Sequence, residues 1–235
     1  MKYRNFLFDP RYWLMGIKSP TIAYDNLVAM LRHPLLYMNV CTRVEGLIDH
    51  YVGTLLYESV LACKSLSPNI VEVGAFKGLS TIYLSMAASK MNKRVKSFEL
   101  FSGSPTIYPN SGTRFHVRQF SSEVSEYEAN VRTYGKPDAV DLVIGDARLT
   151  MLPALGNEGF SFAFLDINVW EVLRELLFQL WRVARGNELI IVHDAHSADV
   201  RKAVDEFHSL TQDRIREHKL HKKTISKLEF PESNQ

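Results

Sequence analysis

Cysteine, charge imbalance and long apolar runs are all scarce in this chain, and each scarcity closes off a class of protein. The two cysteines, Cys41 and Cys63, lack metal-like spacing and read as buried thiols of a reducing compartment. With 28 basic residues against 26 acidic ones the net charge is only +2. Nucleic-acid binding therefore has no compositional support, and a small-molecule substrate is the expected partner. No apolar run approaches the ~20 residues that span a bilayer. Arg4, Asp9 and Arg11 interrupt the aromatic N-terminal stretch, unlike a signal peptide. Repeats and low-complexity tracts are also absent, and together these features predict a cytoplasmic protein. What remains is 235 residues, 46% of them hydrophobic, enough to bury a full core as one α/β domain with an appendage.

The most informative stretch runs from Asn69 to Ser80, where the short β-branched strand Ile70-Val-Glu-Val73 ends at Gly74 and Gly78 opens a helix four residues later. Such a turn lets a ligand lie against bare backbone where helix N–H groups converge. A strand, a glycine turn and a helix also occur where nothing binds, so the neighbours decide the matter. Glu99 ends the next candidate strand, about 20 residues beyond the first glycine, where a nucleotide-binding βαβ unit carries the acid for its ribose hydroxyls.

Alternation along the rest of the chain predicts strands near 69–74, 94–99, 139–144, 160–166 and 188–193, with helices over 78–91, 122–134, 170–184 and 197–210. Helical spacing from Val44 to Lys64 predicts a further helix before the first strand. The polar tail from Asp213 to Phe230 is expected to close as a hairpin. Residues 1–45 mix aromatic and basic side chains and cannot close a core alone, which suits a lid, an oligomer contact or a membrane-touching surface. The expected division is an arm over 1–45 and a ligand-binding domain over 46–235.

In a doubly wound, mostly parallel sheet the strand carboxyl ends would gather Gly74, Glu99, Gly145-Asp146, Asp166 and His193-Asp194 on one edge. Buried strands do not end in acids by hydrophobic logic. Asp146 and Asp194 each read equally as helix caps. Asp166 follows an almost uninterrupted apolar run, so its carboxylate must meet a cation, a donor network or a substrate proton. Asp166, His193 and Asp194 would suit a divalent ion that lowers the pKa of a substrate hydroxyl. A metal-free alternative makes His193 or His196 the base, oriented by Asp166. His116, His208, His218 and His221 lie in polar surroundings and read as surface residues.

These motifs, in this order, resemble the class I S-adenosylmethionine-dependent methyltransferases, in particular the macrocin O-methyltransferase-like group. The resemblance is carried by Val71-Glu-Val-Gly-Ala-Phe-Lys-Gly-Leu-Ser80, Phe98-Glu-Leu-Phe-Ser-Gly-Ser-Pro105, Phe120-Ser-Ser with Glu128-Ala-Asn-Val, Leu142 to Pro153, Leu165-Asp-Ile-Asn-Val-Trp-Glu171 and Ile190-Ile-Val-His-Asp194. It implies a seven-stranded Rossmann-like sheet and S-adenosylmethionine as cofactor. Gly74, Ala75 and Gly78 would face its methionine and ribose, Glu99 its ribose hydroxyls, and Asp146 with Ala147 its adenine. Glu72 would anchor the motif near the methionyl amine, with Ser80 and Thr81 close by. Asp166 would serve as ligand and base, and residues 193 and 194 would complete a magnesium site. The group usually reads Asp-Gly-Asp at 166–168 and Asp-Asp at 193–194, whereas this chain has Asp166-Ile-Asn168 and His193-Asp194. An imidazole in place of a carboxylate favours a softer metal or none.

The leading expectation is therefore an O-methyltransferase acting on a hydroxyl of a small, sugar-bearing or polyhydroxy acceptor, with the arm supporting a homo-oligomer. A cofactor-binding protein with a decayed metal site is the second reading. A nicotinamide dehydrogenase is the third, disfavoured by the Gly-x-x-x-Gly spacing and the lack of a Tyr-x-x-x-Lys pair.

Overall fold

The computed structural model describes residues 20–104, 118–211 and 214–232. The first 19 residues of the arm, His116 and the Tyr108–Gly112 turn lie outside that set. Five parallel strands form the body of the sheet: β1 (Asn69–Val73), β2 (Arg94–Glu99), β3 (Val140–Ile144), β4 (Phe162–Leu165) and β5 (Leu189–Val192). The expected hairpin is present as β6 (Arg216–Leu220) and β7 (Ile225–Glu229), and β7 joins β5 antiparallel. The seven strands run in the order β3-β2-β1-β4-β5-β7-β6.

Both faces of the sheet are covered, which is why the central strands are apolar throughout rather than alternating. Along β4, Phe162 and Phe164 face a layer built from α2 (His50–Ala62), α3 (Leu79–Lys90) and α4 (Val124–Tyr134). Ala163 and Leu165 face α5 (Ala147–Leu155), α6 (Trp170–Val183) and α7 (Ala198–Leu210) on the other side. The chain winds outward from β1 through β2 to β3 and then crosses back to β4, so the connections that leave the carboxyl ends of β1 and β4 run to opposite faces of the sheet and leave a crevice there.

Two local findings differ from expectation, the start of α2 and the burial of two histidines, whereas a helical arm is as expected. The helix expected from Val44 begins only at His50, because Asp49 caps it, its carboxylate accepting from the Val52 N–H at 2.9 Å. Residues 42–49 form a strap ahead of it. The described part of the arm is helical, with α1 (Pro20–Arg32) packed on α2 and a short turn of helix following over 34–41. His208 and His221 are not surface residues. His221 sits between Asp25 and Asp49 and stacks on Tyr51 at 4.5 Å, while His208 lies 3.7 Å from Glu217. His218 is exposed as expected. Cys41 and Cys63 are half-buried free thiols, and burial pushes the Cys41 thiol up to about 12. No helix among the described residues is long and apolar enough to cross a membrane.

Candidate active site

Strand register builds the site. Val73 of β1 pairs with Leu165 of β4, which pairs with Val192 of β5, so Gly74, Asp166 and His193 emerge together one residue beyond the last rung. Backbone bonds extend the ladder past these ends, from Asp166 N–H to the Val73 carbonyl and from His193 N–H to the Leu165 carbonyl, each at 3.0 Å. On the other side of β1, Glu99 and Gly145 end β2 and β3 in the same way. The resulting cleft, of about 290 Å³, is walled by Gly74, Ala75, Ser80, Glu99, Asp146, Ala147, Asp166, His193 and Asp194 among others.

Glu99 is aimed by its surroundings. One carboxylate oxygen accepts from the Phe76 N–H at 2.7 Å, and the other accepts from Leu100 and Phe101 at 2.8 and 3.1 Å. These bonds fix an anionic acceptor on the cleft wall, beside the apolar surface of Phe98, Leu100 and Ala147. A nucleoside with vicinal hydroxyls fits that combination of an oriented acceptor and an apolar slot. Asp146 caps α5 through the Arg148 N–H at 3.0 Å and also pairs with the Arg148 guanidinium, which holds its carboxyl below the usual range. The cap reading and the cleft-wall reading therefore both hold for Asp146.

Some sequence-predicted residues lie elsewhere. Glu72 is fully buried beneath the turn, where its Oε2 accepts from the hydroxyls of Thr81 at 2.6 Å and Ser97 at 2.7 Å. Burial pushes its carboxyl up, and its Oε1 has no hydrogen-bond partner. Glu72 and Thr81 thus support the turn from below rather than lining the cleft. Gly78 has φ +87°, and a β-carbon there would stand 3.1 Å from the Tyr127 ring. Gly74 has φ +90°, and a β-carbon would meet the Asp166 carbonyl oxygen at 2.5 Å. Both glycines answer to close chain packing and left-handed backbone. His196 is more than half exposed and lies 4.0 Å from Asp194, away from the cleft wall. Its ring points into solvent because Ser197, the residue that follows, turns the chain into α7.

At the floor, His193 Nδ1 stands 3.0 Å from Asp166 Oδ1 and 3.8 Å from Asp194. Burial acts to lower the imidazole pKa, but the charge and hydrogen bond of Asp166, with Asp194 adding, outweigh it and raise the pKa to about 9. With no metal ion bound, that shift favours the protonated ring at neutral pH. Asn168 completes the cluster. Its carbonyl accepts from Ser197 Oγ at 2.6 Å and its amide donates to Asp194 at 3.3 Å. Ser197 itself caps α7, and Asp194 does not.

Asp166, His193 and Asp194 can bring one ligand atom each within 4.8 Å of one another, close enough to surround a cation. The donor chemistry argues against magnesium. A hard cation wants oxygen ligands, whereas one of the three donors here is an imidazole and an amide N–H faces one of the two carboxylates.

Sequence reasoning missed the strap residues Gly46, Leu47 and Ile48 and the residues Val169 and Val172 after β4, all on the cleft wall. Leu47 matches the helical period that was extended back from α2, which concealed the strap. The available signal was Asp49, a good N-cap residue placed after Gly46.

Comparison with known proteins agrees with this arrangement. The O-methyltransferase NovP shares the fold at a TM-score of 0.66 and 15% identity, over 90% of this chain and 99% of that one. The calicheamicin methyltransferase CalS11 gives 0.62 and 14%, over 94% and 93%. The methyltransferase PaMTH1 of Podospora anserina, solved with SAH bound, gives 0.55 and 15%, over 99% of both chains. No curated protein matches the sequence. A family model for a methyltransferase domain matches residues 71–195, from the first strand through the histidine and aspartate at the end of β5. With more than half of its length so matched, the chain belongs to the methyltransferase-domain family and is an S-adenosylmethionine-dependent methyltransferase.

Proposed function

We propose that this protein transfers a methyl group to a hydroxyl of a small, sugar-bearing or polyhydroxy acceptor, and that it does so without a metal. The observation that carries the reading is the His193–Asp166 ion pair, closed at 3.0 Å on the floor of the cleft. Bound S-adenosylmethionine supplies an electrophilic methyl carbon. Glu99 holds the ribose hydroxyls, the Gly74-Ala75 turn and Ser80 face the methionine end, and Asp146 with Ala147 flank the base. Asp166 accepts the proton of the acceptor hydroxyl as the methyl group moves. His193 orients that carboxylate by donating Nδ1–H to it. Placing the two reactants in line accounts for most of the rate, with proton removal adding ~10²–10⁴-fold.

Support for a sugar-type acceptor comes from the resemblance to the macrocin O-methyltransferase-like group and from CalS11, described as a TDP-rhamnose 3'-O-methyltransferase. A cytoplasmic setting and a homo-oligomer complete the proposal. The oligomer would form through the exposed apolar residues Tyr24, Leu27 and Leu31 of α1, joined by Leu35 and Met38 of the turns that follow it.

Asp166→Asn decides the matter. Calorimetry should give S-adenosylhomocysteine affinity within about threefold of wild type, while turnover on a panel of glycosides falls at least ~100-fold. Wild-type turnover should survive chelation by EDTA. Loss of activity on chelation, restored by magnesium or manganese, would overturn the metal-free mechanism. Cofactor binding without turnover on any hydroxyl acceptor would favour the second reading, a cofactor-binding protein that has lost transfer.

A further inference from the structure

The strap ahead of α2 places Gly46, Leu47 and Ile48 on the cleft wall, yet it has no regular secondary structure of its own. Charged and polar contacts fix both of its ends. At one end Glu45 Oε2 lies 2.8 Å from Lys77 Nζ, and Lys77 belongs to the glycine turn Gly74-Ala-Phe-Lys-Gly78. At the other end Asp49 caps α2 and is met by Asn26 Nδ2 at 2.9 Å and His221 Nε2 at 3.1 Å. Between the anchors the strap presses on the start of α3, since a β-carbon at Gly46 would stand 2.4 Å from Leu79 Cδ2.

Lys77 has a second partner, Glu126 of α4, at 3.0 Å. The amine therefore ties the turn both to the body of the domain and to the strap. The turn is held on the body side without it, because Asn130 Nδ2 donates to the Lys77 carbonyl and Ser122 Oγ to the Phe76 carbonyl, each at 2.9 Å. Among the described residues no second ion pair links the turn to the strap. Val44 and Ile48 are buried in the core, and Leu47 between them is 48% exposed, so the pair acts on the segment over 45–47, between two packed anchors.

We propose that the Lys77–Glu45 ion pair is a positioning device that locks residues 45–47 against the glycine turn and thereby sets the affinity for S-adenosylmethionine. The proposal rests on reading the cleft as the cofactor pocket. A ligand lying between turn and strap meets one preformed wall when the pair is closed. When the pair is broken, binding must order the strap as well, and that ordering lowers affinity.

Glu45→Gln and Lys77→Ala are each expected to raise the Kd for S-adenosylhomocysteine about tenfold by calorimetry, with little change in melting temperature. Amide exchange over residues 44–49 should quicken in the same two variants. Lys77→Arg should recover most of the affinity, and Glu126→Gln should stay within twofold of wild type. If Glu126→Gln weakens binding as much as Glu45→Gln does, or if Glu45→Gln binds like wild type, the positioning role is overturned. A wild-type chain that bound no S-adenosylhomocysteine would overturn the cofactor reading instead, and this proposal with it.

Discussion

Asp166, Asn168, His193 and Asp194 form a cluster in which two carboxylates share one imidazolium and one amide donor. Two substitutions relative to the resembled group account for this. Asn168 supplies N–H where that group has an acid, and His193 supplies a positive charge where it has a metal ligand. Restoring the group's pattern should therefore restore its ion. The double variant Asn168→Asp with His193→Asp is expected to gain a magnesium-dependent rise in melting temperature that the wild type lacks, since four facing carboxylates repel strongly unless a cation joins them. A melt of the double variant unaffected by millimolar magnesium would argue that the cluster is shaped for neither. The acids themselves were legible, because each breaks an apolar run at a strand end. The pairing of Asp166 with His193 was legible as the metal-free alternative, but the choice of His193 over His196 was not, because it depends on which rotamers meet across β4 and β5.

At the level of elements, α1 is attached to the domain mainly by polar contacts. Asp25 and Asp49 flank His221, with bonds of 2.9 and 3.1 Å, and Asn26 reaches Asp49. Burial opposes the charge on His221, but the two carboxylates outweigh it and hold its pKa above the ordinary 6.5. Asp49 is buried too, yet its bonds to His221, Asn26 and the Val52 N–H bring its pKa below the ordinary 3.8. The signs follow from linkage. The His221 contribution is fully present below pH 6.5 and fades as pH rises through its raised value. The Asp49 contribution is present above pH 3.8 and fades as pH falls through its lowered value. Docking of α1 should thus be tightest between those limits, and amide exchange over residues 20–32 should accelerate at alkaline pH. His221→Ala should abolish that alkaline acceleration and loosen the helix at every pH, at a cost of ~1–3 kcal/mol for removing a shared hydrogen-bond partner from two half-buried carboxylates. Unchanged exchange in His221→Ala would show that apolar packing alone holds the helix. The sequence offered no hint of this contact, since its three members come from both ends of the chain.

At the scale of the molecule, the described residues form a seven-stranded sheet between two helical layers, with an exposed apolar patch on the arm. Leu31 and Leu35 are 70% and 72% exposed, so changing them leaves the core intact. Leu31→Glu with Leu35→Glu should convert a self-associated species to a monomer in sedimentation velocity, with cofactor affinity retained. A monomeric wild type at micromolar concentration would remove the oligomer from the proposal. The alternation of strands and helices, the glycine turn and the strand-end acids are short-range signals, set by backbone preferences and by burial within a few residues. They determined the fold class and the position of the cleft by themselves. Tertiary structure decided the rest. It set Glu72 and Thr81 beneath the cleft, placed the strap on its wall, seated His221 between two acids and chose His193 over His196 as the partner of Asp166. Each of these depends on distances between distant segments that only the packed sheet and its register fix, and no local pattern in the chain encodes them.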